Sequence, residues 1–304
     1  MNSQATAGLA QRFGIAGKAE IVRGEGGLPK LVVSTAGATG EMYLHGAHVT
    51  SWKPRDKADV LYLSPNSLFQ ADHAIRGGIP VCFPWFGDKG DDPTAPAHGF
   101  VRTREWQLES VQLTGNDDVA VTMLTQSDDS TRRWWPFAFR LLSRVTFGGQ
   151  LKVELVVTNT GSSAFSFEEA LHAYFAVTDS STAIVRGLDA TDYIDKTDGR
   201  KQKMQRGDVD FSGETDRVYL DTMQDLQLFD PESRRCINVQ KRDSRATVVW
   251  NPGSEKSAAL KDLGGGEWKK FVCIETANVS PFAVHLQPDQ SHTLGMVVRV
   301  EHFE

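Results

Sequence analysis

His172 stands in Phe167-Glu168-Glu169-Ala170-Leu171-His172-Ala173-Tyr174-Phe175, an ionisable ring set in an aromatic, strand-forming run. Burial there keeps an imidazole near its switching range or below it, which suits a site residue or a core histidine with a hydrogen-bond partner. Glu275 closes Phe271-Val272-Cys273-Ile274-Glu275, so a carboxylate follows a largely apolar strand segment. Desolvation would raise its pKa toward that of a general base; an ordinary strand-end glutamate turned to solvent is the alternative. Arg76 suggests a different chemistry. In Ala74-Ile75-Arg76-Gly77-Gly78-Ile79-Pro80 a guanidinium adjoins paired glycines, so charge and backbone can both approach an anion closely. His98-Gly99-Phe100-Val101-Arg102 is a second such corner after a Pro-containing loop, although two turns with solvated arginines would look the same. His45 and His48, three residues apart, are expected on opposite faces of a strand and so do not read as a shared metal site.

The elements that must position these residues read as strands. Val119, Val121 and Met123, then Phe137, Phe139 and Leu141, then Leu151, Val153, Leu155 and Val157 alternate with period two. Further short runs span 165–177, 217–220, 226–229, 236–240, 246–250, 271–274 and 294–300, mostly separated by Gly, Asp, Asn, Pro or Ser. Such a density of strands predicts an all-β fold, a large antiparallel sandwich with few short helices. Helix signals occur only at Ser64-Pro65 and over Ser254 to Leu263, closed by Gly264, Gly265 and Gly266. The strand–helix alternation of a parallel sheet is missing, and so are GxGxxG and GxxxxGK[ST].

With 33 Lys+Arg against 39 Asp+Glu the net charge is −6, which suits neither disorder nor a generic nucleic-acid binder. The sequence lacks an apolar run of about 18 residues and, over Met1 to Arg12, the pattern of a secretion signal, so no membrane partner is expected. The 3 cysteines, Cys82, Cys236 and Cys273, lack CxxC spacing and predict neither a disulfide framework nor a cysteine-rich zinc site; a reducing cytoplasm fits them. Nothing marks a linker, so residues 1–304 are expected to form one domain, and a monomer.

Taken together, several segments resemble the aldose 1-epimerase (mutarotase) superfamily, in particular its hexose-6-phosphate branch. They include Leu44-His45-Gly46-Ala47-His48-Val49-Thr50-Ser51-Trp52, the two arginine corners, Glu169 to Phe175, Thr215-Asp216-Arg217-Val218-Tyr219, Val249-Trp250-Asn251-Pro252 and Val272-Cys273-Ile274-Glu275. The resemblance implies a β-supersandwich with an open groove, and a cofactor-free and metal-free enzyme that interconverts the anomers of a hexose 6-phosphate. By position it implies His172 as general acid, Glu275 as general base, Arg76 and Arg102 as phosphate ligands, and Asp216 as a sugar-hydroxyl contact. His98 matches a histidine that touches substrate in relatives acting on free sugars. Ala97 departs from the pattern, since some members have glutamine there. A mutarotase for neutral sugars and a non-catalytic carbohydrate-binding sandwich are the competing readings.

Overall fold

The computed structural model describes residues 3–303. The alternating runs are strands that bury every second side chain, most clearly Val119–Gln126 and Leu151–Asn159. They belong to an eight-stranded sheet ordered Ile184–Arg186, Leu226–Asp230, Arg235–Arg242, Ser291–His302, Leu151–Asn159, Phe139–Phe147, Val119–Gln126, Gln107–Leu113. A seven-stranded sheet runs Lys201–Met204, Asp192–Asp195, Thr215–Leu220, Ala246–Asn251, Phe271–Asn278, Glu169–Ala176, Val81–Cys82. A four-stranded sheet over 19–54 and a two-stranded pair complete the set, and every paired strand is antiparallel.

One hydrophobic cluster joins these layers, drawing Leu31 and Trp52 from the four-stranded sheet, Val121 and Leu155 from the eight-stranded sheet, and Phe175 and Ile274 from one face of the seven-stranded sheet. Full burial of side chains of this size stabilises by about 1.5 to 3 kcal/mol each. The sandwich is therefore held through its interior, and the opposite face of the seven-stranded sheet can carry polar groups.

The structure departs from the sequence reading in detail. Ser64 lies in a turn and starts no helix, because its hydroxyl donates to the Asp262 carbonyl at 2.7 Å and accepts from the Asn66 N–H. The expected 254–263 helix spans Gly253–Ala259 and stops where Leu260 turns to an extended conformation. Two helices were not anticipated: Ser3–Phe13, with no acidic residue in its first turn, and Asp129–Arg132, which Asp128 and Thr131 cap reciprocally. The run 165–177 is two strands in different sheets, parted at Glu168. His45 lies in a turn before the strand His48–Pro54, so it and His48 do not share a strand. The 3 cysteines are free and buried. Among the described residues no helix is long and apolar enough to cross a membrane.

Candidate active site

The antiparallel register puts His172 directly opposite Glu275, and Glu275 opposite Val248 on its other side. Residues of the same parity, Tyr174, Cys273 and Trp250, form the next rung, with Asp216 beside Trp250. Their neighbours Ala173, Ile274 and Val249 point the other way, into the shared core. Period-two geometry thus delivers His172, Glu275 and Asp216 to one face from three separate strands.

That face floors a cavity of about 800 Å³. His172, Glu275, Arg76, His98, Arg102 and Asp216 all line it, so the structure brings together every site residue expected from sequence. It adds Lys196, Arg200, Lys256 and Glu168. The Glu168 carboxylate accepts from the Phe86 N–H at 2.9 Å and the Ser280 N–H at 2.7 Å, tying two rim loops across the strand break. Nothing in the local sequence distinguished Glu168 from an exposed strand-end glutamate. Lys196 follows a strand that alternates, and only the fold turns it inward.

His172 Nε2 lies 3.2 Å from Glu275 Oε1, with both side chains almost fully buried. Burial pushes the imidazole pKa well below its ordinary value, and the positive charges of Arg102, Arg76 and Lys196 push the same way. Burial raises the Glu275 carboxyl well above its ordinary value, against the pull of Lys196 and Arg102. Both shifts favour the uncharged form of each partner across this contact. His172 Nδ1, Glu275 Oε2 and Arg102 Nε are buried with no hydrogen-bond partner among the described residues. Buried polar atoms left unpaired are costly, and a polar ligand would satisfy them.

The two arginine corners are not solvated turns. Arg76 donates from Nε to Asp262 at 3.0 Å and from Nη1 to the Tyr174 hydroxyl at 3.1 Å. Asp262 offsets part of its charge. Arg102 donates through Nη2 to the Ala97 carbonyl at 2.8 Å, and burial, the largest influence on it, lowers its pKa. Ala97 thus contributes its backbone carbonyl to holding this arginine. Asp216 lies 3.3 Å from Lys196 Nζ, and burial outweighs that cation to raise its pKa. His98 Nδ1 accepts from the Gly87 N–H at 3.4 Å, which leaves Nε2 to carry the proton. Burial, then Arg102, holds that ring neutral by lowering its pKa well below the ordinary value.

Tight loops set these corners. Gly99 has φ +75°, and a Cβ there would lie 1.8 Å from the Phe83 carbonyl oxygen, which accepts from the Phe100 N–H. Gly78 has φ +61°, and its Cβ would meet the Val49 oxygen at 2.2 Å. Gly99→Ala should destabilise by at least about 1 to 3 kcal/mol from the left-handed backbone alone. Urea unfolding would show this as a lower midpoint at unchanged slope. An unchanged midpoint would show that the loop yields without cost.

The antiparallel supersandwich with this polar, cation-rich cavity is that of a sugar epimerase. The aldose 1-epimerase family pattern matches residues 29–299, and the chain belongs to that family as an isomerase. A relative from Escherichia coli K12, provisionally named glucose-6-phosphate 1-epimerase, is 38% identical over 255 residues, covering 83% of this chain and 84% of its own. One of the same provisional name from Cenchrus ciliaris is 35% identical over 271 residues, covering 86% and 82%. A crystal structure of a provisionally named mutarotase from Salmonella typhimurium superposes with TM-score 0.89 at 31% identity over 96% of each chain. A galactose mutarotase related enzyme from Lactobacillus acidophilus shares the fold at TM-score 0.73 and 15% identity, over 90% of this chain and 97% of its own.

Proposed function

We propose that this enzyme interconverts the α and β anomers of D-glucose 6-phosphate, with His172 as general acid and Glu275 as general base. The observation that carries the reading is the buried 3.2 Å contact of that pair in a cavity also lined by Arg76 and Arg102. In its ionised form Glu275 accepts the proton of the anomeric hydroxyl while charged His172 gives one to the ring oxygen, and the ring opens to an aldehyde. Rotation about the C1–C2 bond presents the other carbonyl face. Closure reverses both transfers and returns each proton to its donor, so the cycle is balanced without an external reactant.

Arg76 and Arg102 hold the phosphate, since a planar guanidinium donates charge-assisted, often bidentate hydrogen bonds. Asp216 and the Nε2–H of His98 serve sugar hydroxyls. The local charge supports an anionic substrate: five cations, Arg76, Arg102, Arg200, Lys196 and Lys256, line the cavity of a chain whose net charge is −6.

Two-dimensional exchange NMR on glucose 6-phosphate and free glucose tests the reading. Enzyme-dependent exchange should favour the phosphorylated sugar, and it should persist after exhaustive chelation. Loss on chelation with recovery on added zinc would overturn the metal-free route, and a preference for free glucose or galactose would make this a neutral-sugar mutarotase.

A further inference from the structure

The cations placed to hold a phosphate also surround the group that must carry the proton. The His172 ring stacks on Tyr174 at 4.9 Å and meets Trp250 and His98 edge-on at 5.9 and 5.7 Å. The Tyr174 hydroxyl in turn accepts from Arg76, while Arg102 and Lys196 enter the same cavity from other loops. Burial keeps the Cys82 and Cys273 thiols and the Tyr174 phenol protonated by raising their pKa values, and His98 is neutral. The carboxyl that touches His172 is Glu275, which burial likewise pushes toward its neutral form. Asp216 bears on Glu275, where it raises the carboxyl's pKa. The leading charged influences on the imidazole are the cations Arg102, Arg76 and Lys196, although Asp262 offsets part of the Arg76 charge and the carboxylates of Asp216, Glu168 and Asp88 also line the cavity.

We propose that the phosphate dianion of the substrate, besides anchoring it, activates the general acid: by closing on Arg76 and Arg102 it cancels the positive field on His172 and draws the shared proton across from Glu275. The inference rests on the reading of those two arginines as phosphate ligands. The transfer is internal to the pair. The O–H bond of Glu275 breaks, the Nε2–H bond of His172 forms across the 3.2 Å contact, and no proton is exchanged with solvent. The products are the carboxylate that takes the anomeric proton and the imidazolium that gives one to the ring oxygen.

The arrangement favours this direction of transfer. Arg102 and Arg76 are the strongest cationic influences on His172, whereas Lys196 is the strongest on Glu275. A dianion seated on the two arginines therefore offsets both of the leading cationic influences on the imidazole but leaves Lys196, the leading one on the carboxyl, in place. A neutral sugar brings no counter-charge and meets the pair in its resting form. Discrimination against it then appears in turnover as well as in binding, because the phosphate changes how much of the bound enzyme is proton-competent.

The test uses the whole protein labelled with ¹⁵N-histidine and inorganic phosphite as a detached dianion. At constant pH, phosphite should move the His172 nitrogen signals from the neutral toward the imidazolium pattern. It should also raise enzyme-dependent anomer exchange of free glucose at least about tenfold, since an opposite charge nearby commonly shifts a pKa by one unit or more. Asp262→Asn, which strips Arg76 of its carboxylate, should deepen the field and make glucose exchange more dependent on phosphite. If glucose 6-phosphate is exchanged but phosphite leaves His172 neutral and glucose exchange unchanged, the activation is overturned and the substrate reading stands. If phosphite charges His172 while glucose 6-phosphate is not exchanged, the substrate reading fails and the electrostatic coupling survives.

Discussion

Glu275→Gln and His172→Asn each lower turnover on glucose 6-phosphate by about 10² to 10⁴, the usual worth of a general acid or base. The fold should survive both changes, for a reason the resting charge state supplies. Glu275 is buried and pushed toward its neutral form, so an amide of the same shape fits its place with little electrostatic loss. A carboxyl whose folded pKa is raised loses its relative stability as pH climbs through the folded value. Glu275→Gln should therefore match its parent in stability at acidic pH and gain on it as pH rises above the ordinary carboxyl range. His172 has the opposite sign. Its folded pKa is lowered, so the parent loses stability as pH falls below the ordinary histidine value of 6.5, and His172→Asn escapes that loss. The working pair holds one proton between its two groups, so kcat/KM should fall on both sides of an optimum, with apparent pKa values that belong to the pair. Thermal midpoints across pH and exchange NMR on both variants check this. Turnover within about threefold of the parent in a folded variant, against the expected 10² or more, would remove that residue from the chemistry.

How much of this was legible in the sequence depends on which contacts are local. The strands Val119–Gln126 and Leu151–Asn159 bury one face each, and their alternation is plain in the residues. Glu169–Ala176 is buried on both faces, so its run is nearly continuous and only the odd polar ring marks the side that carries the site. The residue types at 172 and 275 suggested proton chemistry, but the register that sets them face to face joins distant parts of the chain and has no local signature. The same holds for Asp262, which lies far from Arg76 in sequence and shares its charge. Lys196 and Glu168 went unread for want of a composition cue, since a lysine after a strand and a glutamate before one are ordinary surface features. The short capped helix at Asp129–Arg132 was missed for a different reason: four residues give too little periodicity to detect.

Removal of either arginine should separate the two sugars. Arg102→Ala deletes a donor whose Nε is buried and unpartnered, and it should cost roughly 1.5 to 3 kcal/mol of phosphate binding, the scale of a hydrogen bond to a charged group. That is about a 10- to 150-fold loss in kcat/KM on glucose 6-phosphate. Arg76→Ala should lose more than its own hydrogen bonds. It leaves the Asp262 carboxylate without the partner now 2.9 Å away, and an unpaired negative charge beside the place the guanidinium held repels the phosphate. Adding Asp262→Asn to Arg76→Ala should then recover part of the loss, a non-additivity expected only where the two side chains interact directly. Activity on free glucose should not fall in any of these variants, since a neutral sugar does not use the phosphate clamp. Steady-state kinetics of the two single variants and the double variant on both sugars decide the matter. Equal losses on glucose and glucose 6-phosphate would mean that the arginines support the sheet or the sugar ring, and their assignment to the phosphate would have to be withdrawn.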